Sequence, residues 1–257
     1  KVSTITPCYN MSKYMKGFLD NLSTQTHKDL EVILDHNDPS DEEITLVEEH
    51  NKEHDNIFHI QVDGVDPIGV SMNRCIEFAT GDYLCIWNVD DLRTPESIEI
   101  MAKVLDENPD VDLVYGNYVI VSKFGETNGQ FVDVEPHIPE LKEGMILGPF
   151  FMFRKSLIEK SGVFDEQLIQ GPDYDLALRL VRNGKSYFMS DSLGYYLNEG
   201  LGMSTKPDSK QPLERTAIEL RYGVRVLDSS LIELAKDSYD LENIIIDEEK
   251  IPVSTYV

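Results

Sequence analysis

Residues 83–91 read Tyr83-Leu84-Cys85-Ile86-Trp87-Asn88-Val89-Asp90-Asp91, an apolar run that stops on two adjacent carboxylates. So short and apolar a run is the pattern of a buried strand, and the paired acids then mark its carboxyl end. In open α/β sheets ligands bind at that edge. Carboxylate oxygens placed there suit a hard divalent cation such as Mg²⁺ or Mn²⁺. A plainer reading comes from Thr94-Pro95-Glu96, which has Pro near the first helical position and an acid in the first turn. On that reading the two acids are only a turn before a helix.

Length and charge narrow the field. At 257 residues with 41% apolar side chains, the chain can build one large α/β domain, or a domain with a small appendage. Its 23 basic residues stand against 47 acidic ones, a formal net charge of −24. Nucleic acid and anionic membrane surfaces demand basic patches, so neither is an expected partner. A phosphorylated ligand on so acidic a protein needs local neutralisation, which a cation held by Asp90 or Asp91 supplies. Cys8, Cys75 and Cys85 lie in apolar segments without metal-ligand spacing. They read as buried thiols of a reducing compartment, hence a cytoplasmic location. No signal peptide and no apolar run of about 20 residues is seen, so no integral membrane segment is expected. The chain begins at Lys1 rather than Met, which suggests a domain excised from a longer protein with further domains beside it.

Upstream of the organising strand, β and α patterns alternate. Val2 to Cys8 is rich in β-branched residues, and Met11 to Thr24 carries Tyr14, Met15, Phe18, Leu19 and Leu22 at helical spacing. Leu30 to Leu34 is a second strand. It runs into a turn-forming stretch, Asp35 to Asp41, whose Ser40 or Asp41 can cap a helix starting near Glu42. Ile57 to Val62 is a third strand, and a short helix over Ser71 to Ala79 stops at Gly81. The alternation predicts a largely parallel sheet with helices on both faces. Three loops then open on one edge: 7–10, 35–41 and 88–91. No GxGxxG follows the first strand and no GxxxxGK[ST] occurs, which disfavours the dinucleotide and P-loop versions of this architecture.

Several segments, in this order and spacing, carry a family resemblance. They are Val2-Ser3-Thr4-Ile5-Thr6-Pro7-Cys8-Tyr9-Asn10, the strand-terminal Asp35, Ala79-Thr80-Gly81-Asp82-Tyr83-Leu84, and Asn88-Val89-Asp90-Asp91 with Thr94-Pro95-Glu96. Further on come Gly148 to Lys155, Gly162-Val163-Phe164-Asp165, and Gly171-Pro172-Asp173-Tyr174-Asp175-Leu176-Ala177-Leu178-Arg179-Leu180. Over roughly residues 2–205 the chain resembles family 2 glycosyltransferases of the GT-A fold, a Rossmann-like α/β single domain. The resemblance implies a nucleotide-sugar-binding half over 1–110, an acceptor-binding and catalytic half over 111–210, and a C-terminal helix and acidic tail over 211–257.

The resemblance also implies a chemistry: a metal-dependent, inverting, non-processive transfer of a hexose or N-acetylhexosamine. The donor is a nucleotide-diphosphate sugar, with a UDP-sugar expected, and the acceptor a hydroxyl of a saccharide, protein or small molecule. Direct displacement needs a base for the acceptor proton and an electrophile for the departing diphosphate. Asp173 matches the family's base. Asp90 matches its principal metal acid, with Asp91 as a second metal candidate for Mn²⁺ or Mg²⁺. Pro7, Tyr9, Asn10, Asp35, His36, Asn73, Asn88 and Asp90 match nucleotide-sugar-binding positions. Three departures stand out: Asn88 where an acid is usual, Pro172 where Glu often precedes the base, and Met72 in place of a phosphate-facing Arg, for which Arg74 or Arg93 is a substitute.

Past residue 110 the reading thins. Val111 to Val121 is a strand, and Asn128-Gly129 signals a hairpin. Tyr195 to Ser204 reads as a mobile glycine-bounded loop, in which Glu199 is either a third metal ligand or plain loop. Apolar spacing over Pro212 to Lys236 predicts a helix, and Asp237 to Glu249 reads as a linker or exit strand. Two rival functions remain: a catalytically silent binding or scaffold domain of the same fold, motivated by Asn88 and Met72, and a sugar nucleotidyltransferase. The latter is disfavoured by the lack of a Gly- and Arg-rich first loop.

Overall fold

The computed structural model describes residues 1–134, 147–200, 202, 209, 211–222, 243–246 and 249–252. Its strands are β1 (Val2–Tyr9), β2 (Leu30–Asn37), β3 (Ile57–Val62), β4 (Tyr83–Ile86), β5 (Leu92–Arg93), β6 (Leu113–Val121), β7 (Gln130–Val132), β8 (Phe151–Arg154) and β9 (Ser186–Leu197). A separate hairpin pairs β10 (Asn243–Ile246) with β11 (Glu249–Pro252). The helices are α1 (Ser12–Ser23), α2 (Asp41–His54), α3 (Ile68–Phe78), α4 (Ser97–Glu107), α5 (Ile158–Ser161), α6 (Pro172–Asn183) and α7 (Gln211–Arg221).

The main sheet has the order β3-β2-β1-β4-β8-β6-β9-β5, with β7 beside β6. The four strands β3, β2, β1 and β4 are parallel neighbours. Strand β8 then enters antiparallel between β4 and β6, and β9 pairs with β6 in parallel. The fold is therefore α/β with a mixed but mostly co-directional sheet.

Side-chain alternation builds two cores from one sheet. Along β4, Tyr83, Cys85 and Trp87 face one layer with α1, α2 and α4, while Leu84 and Ile86 face the other with α3 and α6. On β2, Val32 and Leu34 join the first layer and Ile33 the second. Such strands, apolar on both faces, are what a helix-covered parallel sheet requires. The apolar stripe of α1, Tyr14, Met15, Phe18, Leu19 and Leu22, is buried as its spacing implies.

Some bounds differ from the sequence reading. Strand β2 extends through Asp35-His36-Asn37 because ladders on both sides, to β1 and β3, hold it in place. Tyr195 to Leu197 is the last part of β9, not loop, for the same reason: it pairs with β6 and β5. Of the expected C-terminal helix, Gln211–Arg221 is seen, and 223–236 lies outside the described residues, as does most of 237–249. Cys8, Cys75 and Cys85 are free and buried, and burial pushes the Cys75 thiol up to about 12.

Candidate active site

Strands β1, β2 and β4 end side by side, with Pro7 opposite Asp35 and Tyr9 opposite Asn37. Their charges meet there: the Cys8 thiol is pushed up by burial and by the carboxylates of Glu43, Asp90 and Asp35. At the rim, Tyr9 is 49% exposed, and Asn10 follows in a left-handed conformation (φ 55°) that turns the chain away from the sheet. An exposed ring beside a sheet edge can stack on a planar base.

The turn after β4 is fixed from within. Trp87 Nε1 donates to Asp91 O at 3.0 Å, and Asp91 N to Asn88 O at 3.1 Å. The Asp91 carboxylate is buried and turned inward: its Oδ1 accepts from Leu197 N on β9 at 3.0 Å, and its Oδ2 stands 3.5 Å from Asn88 Nδ2. Asp91 thus fastens the turn to β9. Asp90 is half-buried, and among the described residues no side chain pairs with it. Burial raises both acids, and the Asp90 charge raises Asp91 further. A half-buried carboxylate without a counter-charge fits a hard cation shared with diphosphate oxygens, since Mg²⁺ is commonly held by one or two carboxylates plus substrate phosphates. No cluster of three acidic, His or Cys ligands occurs among the described residues. Glu199 does not complete one. Its carboxylate takes Lys13 Nζ at 2.9 Å and the Tyr14 hydroxyl instead.

Asp35 is fully buried at the end of β2. It accepts from Arg74 Nη1 at 2.7 Å and from Asn37 Nδ2 at 2.8 Å, and Arg74 also pairs with Asp66. Arg74 is therefore committed to two acids. Arg93 is no substitute cation either: it is 1% exposed, sandwiched between the Trp87 and Phe150 rings, and donates to Ile86 O. Met72 is core.

Two expected ligand residues take other work. His36 points to the sheet face opposite Asp35, since adjacent strand residues alternate. It is 0% exposed, 3.1 Å from His59 Nε2 and 3.7 Å from Glu43, with its pKa lowered by burial. A ring enclosed in this way has no route to a nucleotide. Asn73 is also corrected: its amide clamps the segment before α6, donating to Phe164 O (3.0 Å) and Glu166 Oε1 (2.8 Å) and accepting from Phe164 N (2.8 Å).

That clamp helps locate Asp173. Gly69, in the first turn of α3, touches the backbone of Asp165 and Glu166 so closely that a Cβ there would sit 3.0 Å from Glu166 Cα. Helix α6 ends at Gly184 against Asp112, where β6 begins, so its first turn, about 18 Å back along the helix, returns to the edge where β4 ends. Consecutive residues of α3 thus reach both regions, Arg74 to Asp35 and Asn73 to the approach to Asp173. Pro172 occupies the first helical position, where its missing N–H costs nothing. Leu176, Ala177 and Leu180 anchor the helix on the sheet. Asp173 Oδ1 accepts from Tyr174 N at 2.8 Å, and burial raises its pKa from 3.8 to about 6, with the Glu214 charge adding to the rise. A carboxylate with that pKa is ionised yet basic at neutral pH.

Residues 3–162 match the family described as glycosyl transferase family 2, and the chain belongs to that family: it is a glycosyltransferase by class. Over 191 residues, 71% of its length, it is 26% identical to an uncharacterized glycosyltransferase of Methanocaldococcus jannaschii, of which it spans 65%. The chain therefore covers less than two thirds of such a relative. Its fold is that of Staphylococcus aureus TarS (TM-score 0.66, 19% identity, 93% of this chain and 72% of that one), a protein also solved with UDP-GlcNAc. It is similar as well to a mannosyltransferase of Pyrobaculum calidifontis solved with GDP-Man and Mn²⁺ (TM-score 0.61, 17% identity, 86% of this chain and 62% of that one). These structures carry the GT-A architecture, which this chain shares.

The loop-end residues Tyr9, Asn88 and Asp90 were legible from the strand-then-polar pattern. Glu214, which meets the base segment from α7, was not, because nothing local to it marks its partner.

Proposed function

We propose that the chain is a metal-dependent, inverting glycosyltransferase that moves a hexose or N-acetylhexosamine from a UDP-sugar to an acceptor hydroxyl. The observation that carries the reading is the shared edge: the uncompensated Asp90 and the basic Asp173 lie at the same end of the sheet, tied through α3. A solved GT-A relative with UDP-GlcNAc and another with Mn²⁺ support the donor class and the cation.

In this reading Asp90 holds Mn²⁺ or Mg²⁺, which when bound supplies charge neutralisation for the leaving diphosphate. Tyr9 stacks on the base, and Pro7, Asn10 and Asn88 line the nucleotide. Asp173 Oδ accepts the acceptor's hydroxyl proton as its oxygen bonds to the anomeric carbon and the bond to the diphosphate breaks. Attack from the face opposite the leaving group inverts that carbon. In-line placement of base and electrophile accounts for most of the rate, since proximity and base catalysis together supply several orders of magnitude.

The test is UDP release from a panel of UDP-sugars with Mn²⁺, with Mg²⁺, and with chelator. The expected result is cation-dependent release that Asp90→Asn lowers about a hundredfold or more. Release that is absent with every donor, or indifferent to both cation and Asp90→Asn, sinks the reading and favours a silent domain.

A further inference from the structure

We propose that Glu214 of α7 is a positioning residue for the catalytic base, an inference that rests on Asp173 holding that role. Pro172 has no N–H, so the donors that must find acceptors as the chain enters α6 are those just before it. All three converge on one side chain. Glu214 Oε1 accepts from Ile169 N at 2.7 Å, and its Oε2 accepts from Gly171 N at 2.6 Å and from Gln170 N. Three amides closing on one carboxylate form an anion nest with charge-assisted bonds, and they fix the backbone two residues before Asp173.

The helix that delivers Glu214 is itself docked on this segment. Ile218 packs with Leu168, Tyr174 and Leu178, and a Cβ on Gly171 would sit 3.0 Å from Ile218 Cδ1. Arg221 bridges Asp175 and Asp165, both at 2.8 Å, and Tyr222 donates to Asp175 at 2.8 Å. The nearby arginines are engaged: Arg179 and Arg221 with Asp175, Arg215 with Glu219. The charged neighbour that raises Asp173 is Glu214. One carboxylate therefore sets both where the base stands and how basic it is.

Steady-state kinetics with a UDP-sugar, Mn²⁺ and acceptor, run as pH profiles on wild type, Glu214→Gln, Glu214→Ala and Asp173→Asn, test this. Glu214→Gln keeps the shape, removes the charge and turns an amide against backbone donors. The expected result is a kcat about tenfold or more lower, because small misplacements of a reacting group are costly. The donor KM should stay within about threefold, and the acid limb of the kcat profile should move to lower pH. If Glu214→Ala fails to fold, Glu214→Gln decides. An unchanged kcat with an unmoved acid limb overturns the inference. So does a loss that matches a fall in UDP affinity or in melting temperature without a shift of the limb. Wild-type turnover by Asp173→Asn instead removes the base assignment, and this inference with it.

Discussion

The two ends of the site are held in different ways. At the donor end, the polar residues are fastened by neighbours on adjacent strands and by α3: Asp35 by Asn37 and Arg74, Asp91 by Leu197. At the base end, Asp173 sits on a segment fastened by α7, through Glu214, Arg221 and a small apolar cluster around Ile218. The donor end is a property of the sheet. The base end is a property of a docked helix, and its geometry can change without disturbing the nucleotide side.

The largest effect that can break this comparison is at Asp173. Asp173→Asn removes the proton acceptor and should lower transfer about a hundredfold to ten-thousandfold, while UDP affinity, measured by calorimetry, stays within a few-fold. In wild type the rate should fall as pH drops through about 6, where burial has raised this acid from 3.8. Stability has its own signature. A raised carboxylate penalises the folded state above its folded pKa and not below the unfolded one. Wild type should therefore lose stability as pH rises from about 4 to about 6, and Asp173→Asn should be the more stable protein at pH 8 by on the order of 1 kcal/mol, a gain that vanishes near pH 4. Loss of activity with equal loss of UDP binding would make the two ends one unit.

What the sequence revealed follows the same division. Strand alternation on β4 and β2, the α1 stripe and the Pro172 helix start are local patterns, and each is where it was expected. The partners of polar residues are not local. Nothing around His36 distinguishes a ring that reaches a ligand from one enclosed by His59 and Glu43, because that depends on which face β2 turns toward α2. Asn73 sits at a ligand-like position, yet its amide is used up by Phe164 and Glu166, far along the chain. Glu214 was invisible for the same reason.

A middle-sized effect compares two buried acids. Asp175 is fully buried between Arg179 and Arg221, so Asp175→Ala strands cations with limited access to water and should cost about 3–5 kcal/mol, the usual penalty for breaking a buried pair. Asp35 is equally buried, but its partner Arg74 is 24% exposed and keeps Asp66. Asp35→Ala should therefore cost less, about 1–3 kcal/mol, while weakening UDP binding. Chemical denaturation of both variants checks the order. The reverse order would show that the α6–α7 contact is loose and the base end is not helix-held.

The smallest effect lies beneath the donor end. Ser40 caps α2 in a reciprocal box: Glu43 N donates to Ser40 Oγ at 3.3 Å, and Ser40 N donates to Glu43 Oε2 at 2.9 Å. Ser40→Ala removes one of the two and should lower stability by about 1 kcal/mol. Glu43 also faces His36, and His36 lies in the strand that ends beside Tyr9. If the sheet alone sets the donor end, loosening this cap should leave UDP affinity and kcat unchanged within a factor of about two, since a cap is worth little to a strand laddered on both sides. A fall in UDP affinity larger than the stability change would mean that α2 helps shape the nucleotide site through Glu43 and His36. The donor end would then depend on a docked helix as the base end does.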